Sequence, residues 1–316
     1  MVSRRRILGA LGLAATAPGL AALRLLPGAG AASAQPGPDR PFRAVAPLVG
    51  TDGPRAAVTL SFRNPFQGGA VYLSVQHALA AEARLFGRAY ALAPGAGVLE
   101  GFVGVGVADP PGPAAIGISG VDLAGHAFTY SEPITIRATS WTYDDIWLPP
   151  PDPHAPPPLE PEQPRLDALY ATVTPRQWEL PFIIPVELGG PVFISGYFGE
   201  QRSFNGGPRT GHHGGTDIGA PMGTPVRSTN YGTVVLSELT LVRGELVVVD
   251  HGAGVLSCYG HLSERRVAVG EQVRRGDIVG LVGSTGLSSG PHLHWELSVG
   301  GVLVDGLRWL DGTQGF

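Results

Sequence analysis

Imidazole and carboxylate side chains at short, fixed spacings crowd the C-terminal part of this chain. Six of its nine histidines fall between 212 and 294. Three short patterns hold five of them: His212-His213-Gly214-Gly215-Thr216-Asp217, Tyr259-Gly260-His261-Leu262 and Pro291-His292-Leu293-His294. Nitrogen and carboxylate donors of this kind suit a zinc ion. His213 and Asp217 are separated by three residues, two of them glycines, so the backbone can curl where a Cβ would clash and both side chains can converge on one ion. His292 and His294 are two apart; on a strand they face the same side, with Cα atoms roughly 6–7 Å apart. One of the two can bind zinc at about 2.0–2.1 Å while the other reaches water or substrate beside it. Two histidines and one aspartate leave a coordination position open, which marks a catalytic rather than a structural zinc.

The elements that must hold these groups are strands. Val234-Val235-Leu236 and Leu246 to Val249 read as strands, and the glycine turn between His251 and Gly254 predicts that Val255 to Tyr259 returns as a hairpin partner. Gly270 to Val273 and Gly276 to Gly280 read as tight turns feeding short strands, with no long amphipathic helix. The segment 190–311 is therefore expected to be an all-β domain. Residues 40–145 also show a period of two: Val58, Leu60 and Phe62; Val71, Leu73 and Val75; Val103, Val105 and Val107; then Phe128/Tyr130 and Ile134/Ile136. Short alternating runs broken by Asn64-Pro65 and Asp109-Pro110-Pro111-Gly112 predict an antiparallel β module, an immunoglobulin-like sandwich without the Cys-Trp-Cys hallmark.

Between these regions, residues 149–164 contain nine prolines. Proline fixes φ and removes amide donors, so a semi-rigid linker is expected over 146–165. A connector follows over 166–189; Arg165 to Tyr170 reads as a short helix, and Trp178 to Pro185 as an apolar stretch that packs on the next domain. Residues 1–34 read as an export signal: Ser3-Arg4-Arg5-Arg6-Ile7-Leu8, a glycine-interrupted apolar run, then Ala32-Ser33-Ala34 before Gln35. The paired arginines match the twin-arginine type. Pro18 and Arg24 interrupt the run, which barely reaches the roughly 20 apolar residues of a membrane span, so no stable membrane insertion is expected after signal removal. The mature protein is expected in the periplasm or cell envelope, or secreted.

Removing the four arginines of the first 34 residues takes the net charge from −4 to −8. Such a chain lacks the clustered cations that phosphate contacts require, which argues against nucleic acid as a partner. The single cysteine, Cys258, excludes an internal disulfide and a cysteine-rich zinc site.

Residues 190–311 resemble the lysostaphin/LytM-type zinc endopeptidases, which cut peptide bonds in bacterial peptidoglycan. The resemblance rests on Phe198-Gly199, His213-x-Gly215-x-Asp217, Ala220-Pro221-x-Gly223-Thr224-Pro225, Tyr259-x-His261-Leu262 and Gly290-Pro291-His292-Leu293-His294. It implies that His213, Asp217 and His294 hold one zinc ion per chain. It also implies that His261 and His292 flank the open position, one of the two acting as the base for the attacking water. The chain departs from the pattern at His212, where an aromatic is common, and at Gly214, where serine is common. Glu296 continues the alternation of His292 and His294 and so is placed either on the metal face or past the cleft, while His77, His126 and His251 are expected to be structural. Two other functions fit the resemblance. One is a non-catalytic domain that binds peptidoglycan or activates an amidase, as in relatives that have lost ligands; the other is a zinc peptidase acting on exported proteins.

Overall fold

The structure, a computed structural model, describes residues 55–147, 162–209 and 211–310, together with the backbone of a short strand at 43–44. Residues 1–34, expected to be an export signal, and most of the proline-rich segment lie outside the described residues. Strands account for nearly all the regular structure.

In the N-terminal half the strands are β1 (Arg43–Ala44), β2 (Ala57–Leu60), β3 (Ala70–Gln76), β4 (Ala78–Leu85), β5 (Arg88–Ala91), β6 (Ala93–Pro94), β7 (Val98–Gly104), β8 (Gly112–Asp122) and β9 (Ala127–Ile136). They form two antiparallel sheets, ordered β1-β2-β3-β7-β6 and β5-β4-β8-β9. Val58, Leu73 and Val103 of the first sheet share one buried core with Leu85, Ile118 and Ile134 of the second. The period-two pattern has a direct cause here, since alternate side chains point into the shared core and each buried Val, Leu or Ile contributes about 1.5–3 kcal/mol. Phe128/Tyr130 and Ile134/Ile136, two runs in the sequence, belong to the single strand β9. Pro133 is tolerated within it because β9 is an edge strand.

A further strand, β10 (Tyr143–Ile146), leaves this module and joins a different sheet. At the end of the proline-rich segment begins a short helix, α1 (Gln163–Tyr170), which buries Leu166 and Tyr170. The C-terminal strands are β11 (Phe193–Gly196), β12 (Gln201–Phe204), β13 (Gly211–His212), β14 (Thr216–Gly219), β15 (Pro225–Arg227), β16 (Gly232–Leu239), β17 (Glu245–Gly252), β18 (Val255–Arg265), β19 (Gln272–Val273), β20 (Ile278–Val282), β21 (His292–Val299) and β22 (Val302–Val304). The main sheet runs β11-β14-β21-β18-β17-β16-β19, while β10, β12 and β13 form a small sheet of their own. The β17–β18 hairpin turns through Ala253 and Gly254, with Gly252 paired to Val255.

One buried cluster spans both halves of the chain. Phe102 of β7 lies with its ring centroid 5.6 Å from that of Trp178 and 5.1 Å from that of Trp309. Val255, Leu297 and Val299 of the main sheet belong to the same cluster.

Candidate metal centre

The site is made by two neighbouring strands of the main sheet. β14 pairs antiparallel with β21 in a register that sets Asp217 opposite His294 and Gly219 opposite His292. Along β21 the residues divide by parity. Leu293 and Trp295 enter the hydrophobic core, whereas His292, His294 and Glu296 occupy the other face. His213 arrives just before β14, over Gly214 and Gly215. A Cβ at Gly215 would sit 2.4 Å from the Trp295 carbonyl oxygen, so only glycine lets the chain approach β21 closely enough to deliver His213.

Three donor atoms then form a small triangle. Asp217 Oδ1 lies 3.1 Å from His213 Nε2 and 2.7 Å from His294 Nδ1, and the two nitrogens are 3.1 Å apart. Tetrahedral coordination with bonds of 2.0–2.1 Å sets ligand atoms roughly 3.3 Å from one another, close to what this triangle provides. The far nitrogens are committed elsewhere. His213 Nδ1 donates to the Tyr197 carbonyl, 2.8 Å away, and His294 Nε2 to Glu296 Oε1, 2.9 Å away. Each bond fixes a tautomer that turns the other ring nitrogen toward the shared point. All three residues are buried. Such a convergence of electron-rich atoms calls for positive charge among them, and the residues fit a single divalent ion.

The buried carboxylates and imidazoles of this cluster also shift one another's titration. Burial by itself would lower the His294 pKa, but hydrogen bonds to Asp217 and Glu296 carry it to about 9. Burial would raise the Asp217 carboxyl; its bonds to His213 and His294 win and hold it far below the usual carboxylate range. Burial pushes His213 down.

His261 and His292 stand beside the triangle. Their ring centroids are 4.7 Å apart, and that of His261 is 5.8 Å from that of His294. His261 Nδ1 donates to the Thr285 carbonyl and His292 Nδ1 to the Gly290 carbonyl, at 2.7 and 2.8 Å. Both Nε2 atoms are thus left as proton acceptors; that of His292 lies 3.7 Å from Asp217 Oδ1. Burial, followed by the neighbouring His294 and His292, depresses His261 to about 3, and burial also lowers His292. His261 has a left-handed backbone (φ 58°), uncommon for a residue with a side chain and costing on the order of 1–3 kcal/mol. Its amide donates to the Arg243 carbonyl, which helps hold the turn.

These groups open onto a cleft of about 540 Å³. One wall carries His261, His292 and Leu287; another is β10 with Trp147 just beyond it.

The remaining candidates separate cleanly. His212 turns away from the triangle, bonding the Gly199 carbonyl through Nδ1 and meeting Trp141 edge-on. His251 is fully buried between the Tyr231 carbonyl and Ser257. His126 pairs with Asp122, and His77 sits in a turn of the β module. Glu296 lies behind His294 rather than in front of it, where Arg243 Nε and Nη2 reach its Oε1 at 3.0 and 2.8 Å. Arg243 Nη1 is also 3.2 Å from Glu162 at the start of α1. Nothing in local spacing signals Arg202, Arg243 or Glu162, because tertiary pairing alone brings them to the site.

Fold and site together define a β-rich domain with a candidate single-ion centre in an open cleft. Residues 211–306 match Peptidase family M23. The chain is 40% identical over 115 residues to the peptidoglycan DD-endopeptidase ShyA of Vibrio cholerae, which covers 36% of this chain and 27% of the relative. It is 44% identical over 93 residues to the DD-carboxypeptidase/endopeptidase Mpg of Neisseria meningitidis, covering 29% of this chain and 21% of the relative. The chain thus spans about a quarter of the length of these curated relatives. A solved structure from Pseudomonas aeruginosa, described as a peptidase M23, superposes with a TM-score of 0.53 over 80% of this chain and 96% of that one. At 24% identity that likeness speaks for the fold alone.

Proposed function

We propose that this protein is an exported zinc metalloendopeptidase that hydrolyses peptide bonds in the stem or cross-link peptides of peptidoglycan. The observation that carries the reading is the triangle of His213 Nε2, Asp217 Oδ1 and His294 Nδ1, with sides of 2.7 to 3.1 Å, beside two further histidines in a cleft. Two imidazole nitrogens and one carboxylate oxygen form a donor set that favours zinc, and they leave a coordination position open. The activities by which the relatives ShyA and Mpg are named support the substrate class.

In this reading His213, Asp217 and His294 hold one zinc ion. When bound, zinc polarises the scissile carbonyl and acidifies the attacking water. The Nε2 atoms of His261 and His292 are the proton acceptors within the cleft; one takes the proton from the water and returns it to the leaving amine. No serine or cysteine nucleophile is needed, and Cys258 is buried away from the cleft. All five side chains are present and converge, which weighs against a purely non-catalytic, amidase-activating role. Export is proposed from the sequence of residues 1–34, and immunoglobulin-like connectivity for the β module from its two antiparallel sheets around one core. Among the described residues no helix is long and apolar enough to cross a membrane.

The test is incubation of zinc-loaded mature protein with purified sacculi, with and without a chelator, and mass spectrometry of the released material. Fragments with new peptide termini, absent in the chelated sample, are expected. Intact cross-links after exposure to fully loaded protein would sink the reading.

A further inference from the structure

Asp217 has two carboxylate oxygens, and the structure gives them different partners. Oδ1 faces His213 and His294. Oδ2 is taken by Arg202 Nη2, from β12, in a close charge-assisted hydrogen bond. The same guanidinium points its Nε toward Asp144 Oδ2, 3.6 Å away. Asp144 lies on β10, the strand that leaves the β module, and the parallel pairing of β10 with β12 sets Asp144 directly beside Arg202. The space for this contact is kept by Gly196 of β11. A Cβ there would stand 2.9 Å from Arg202 Nη2 and 3.0 Å from Asp217 Oδ2. Both side chains are largely removed from solvent, at 15% and 10% exposure, so the pair is only weakly screened by water.

A carboxylate can bind a metal through one oxygen or two. With Oδ2 occupied by a guanidinium, Oδ1 alone is left for the ion, and one more coordination position stays open. Arginine suits the task because its planar fork presents several donors in fixed directions, so one group can bond Asp217 while lying within ion-pair range of Asp144. Lysine offers a single mobile point of charge.

We propose that Arg202 is a positioning residue that holds Asp217 to one-oxygen ligation, and that Asp144 anchors it from β10. On this account the strand that leaves the β module supports the metal centre, reaching the ion through Arg202 and Asp217. The inference rests on the reading of His213, Asp217 and His294 as zinc ligands.

The experiment compares wild type with Arg202→Gln, Arg202→Lys and Asp144→Asn in the full mature chain. It measures zinc affinity by competition with a chromophoric chelator and the visible spectrum of the cobalt(II)-substituted protein. Arg202→Gln is expected to weaken zinc binding by about 10–100-fold, the range for groups that orient ligands. It should also weaken the cobalt absorption, since Asp217 then binds through both oxygens and coordination number rises. Arg202→Lys should restore part of the affinity and intensity, and Asp144→Asn should shift both in the same direction by less. Turnover should fall with little change in KM. Wild-type affinity and an unchanged cobalt spectrum in Arg202→Gln would overturn the proposal. Should that variant fail to fold, wild-type behaviour in both Arg202→Lys and Asp144→Asn would do the same. A wild type that binds no zinc would instead remove the ligand reading beneath it.

Discussion

Asp217 and His294 face each other as a register pair on adjacent antiparallel strands, 77 residues apart in sequence, with Oδ1 and Nδ1 separated by 2.7 Å. A rigid sheet, rather than a loop, sets this distance, so the donor triangle is organised before any ion arrives. Replacement of His213, Asp217 or His294 by alanine is therefore expected to leave the fold in place and abolish stable zinc binding. Metal analysis after gel filtration checks it; a stoichiometric ion in Asp217→Ala would remove that carboxylate from the ligand set.

His261 and His292 give the opposite pattern. Neither belongs to the triangle, and each has Nδ1 tied to a backbone carbonyl so that Nε2 faces the cleft. Alanine at either position should leave the zinc content at one per chain and lower turnover by roughly 10²–10⁴-fold, the range for general acid–base groups. Loss of the ion from His292→Ala would move that residue into the ligand set.

Glu296 carries a separate consequence. It accepts from His294 Nε2 and from Arg243, and is almost fully buried. Glu296→Gln keeps the shape but leaves Arg243 with Glu162 as its remaining carboxylate partner. Breaking a buried pair of this kind costs about 3–5 kcal/mol, so a clear fall in thermal stability is expected even without metal, together with weaker zinc binding. An unchanged melting temperature would show that Arg243 and Glu162 suffice to hold the turn around His261.

The side chains that converge at the cleft are more legible in the sequence than the architecture around them. The two-residue spacing of His292 and His294 implies a shared face only on a strand, and β21 is that strand. The glycines before Asp217 point to a close approach, which the Trp295 carbonyl explains. Arg202, Arg243 and Glu162 gave no signal, because each reaches the site through a pairing partner 15 to 81 residues away. Glu296 was visible in the alternation, yet its task behind His294 depends on Arg243. The proline run predicts a semi-rigid linker between two β regions, and period-two patterns cannot reveal that Phe102 packs on Trp178 and Trp309. Burial patterns state which face is apolar, not which partner covers it.

That shared core has a measurable outcome. Trp309→Ala removes a fully buried ring from a cluster drawing on both halves of the chain. The expected cost is about 3–5 kcal/mol, felt by the β module as well as the region that matches Peptidase family M23. Wild-type protein should unfold in one transition by both near-ultraviolet circular dichroism and hydrogen exchange of β3 and β7. Two transitions, with only the later one moved by the substitution, would mean the halves fold independently.

His251 provides a pH-dependent prediction away from the metal centre. It is completely buried, and the loss of water solvation pushes its pKa down to about 4 from the ordinary 6.5, despite the bond from Nδ1 to the Tyr231 carbonyl. The unfolded chain therefore takes up a proton at this residue at higher pH than the folded protein. Stability from the neutral ring is fully present above about pH 6.5 and is lost as pH falls toward 4. Over that window the loss amounts to roughly 3 kcal/mol, at 1.36 kcal/mol per pKa unit. His213, His261 and His292 are shifted in the same direction and His294 in the other, so the informative quantity is a difference. Urea unfolding of metal-free wild type and His251→Gln at pH 7, 5.5 and 4 should give curves that converge as the pH drops, because the glutamine variant lacks this one titration. Parallel curves would mean that the folded protein accommodates the imidazolium between Tyr231 and Ser257 without penalty, and that burial at this position does not disfavour charge.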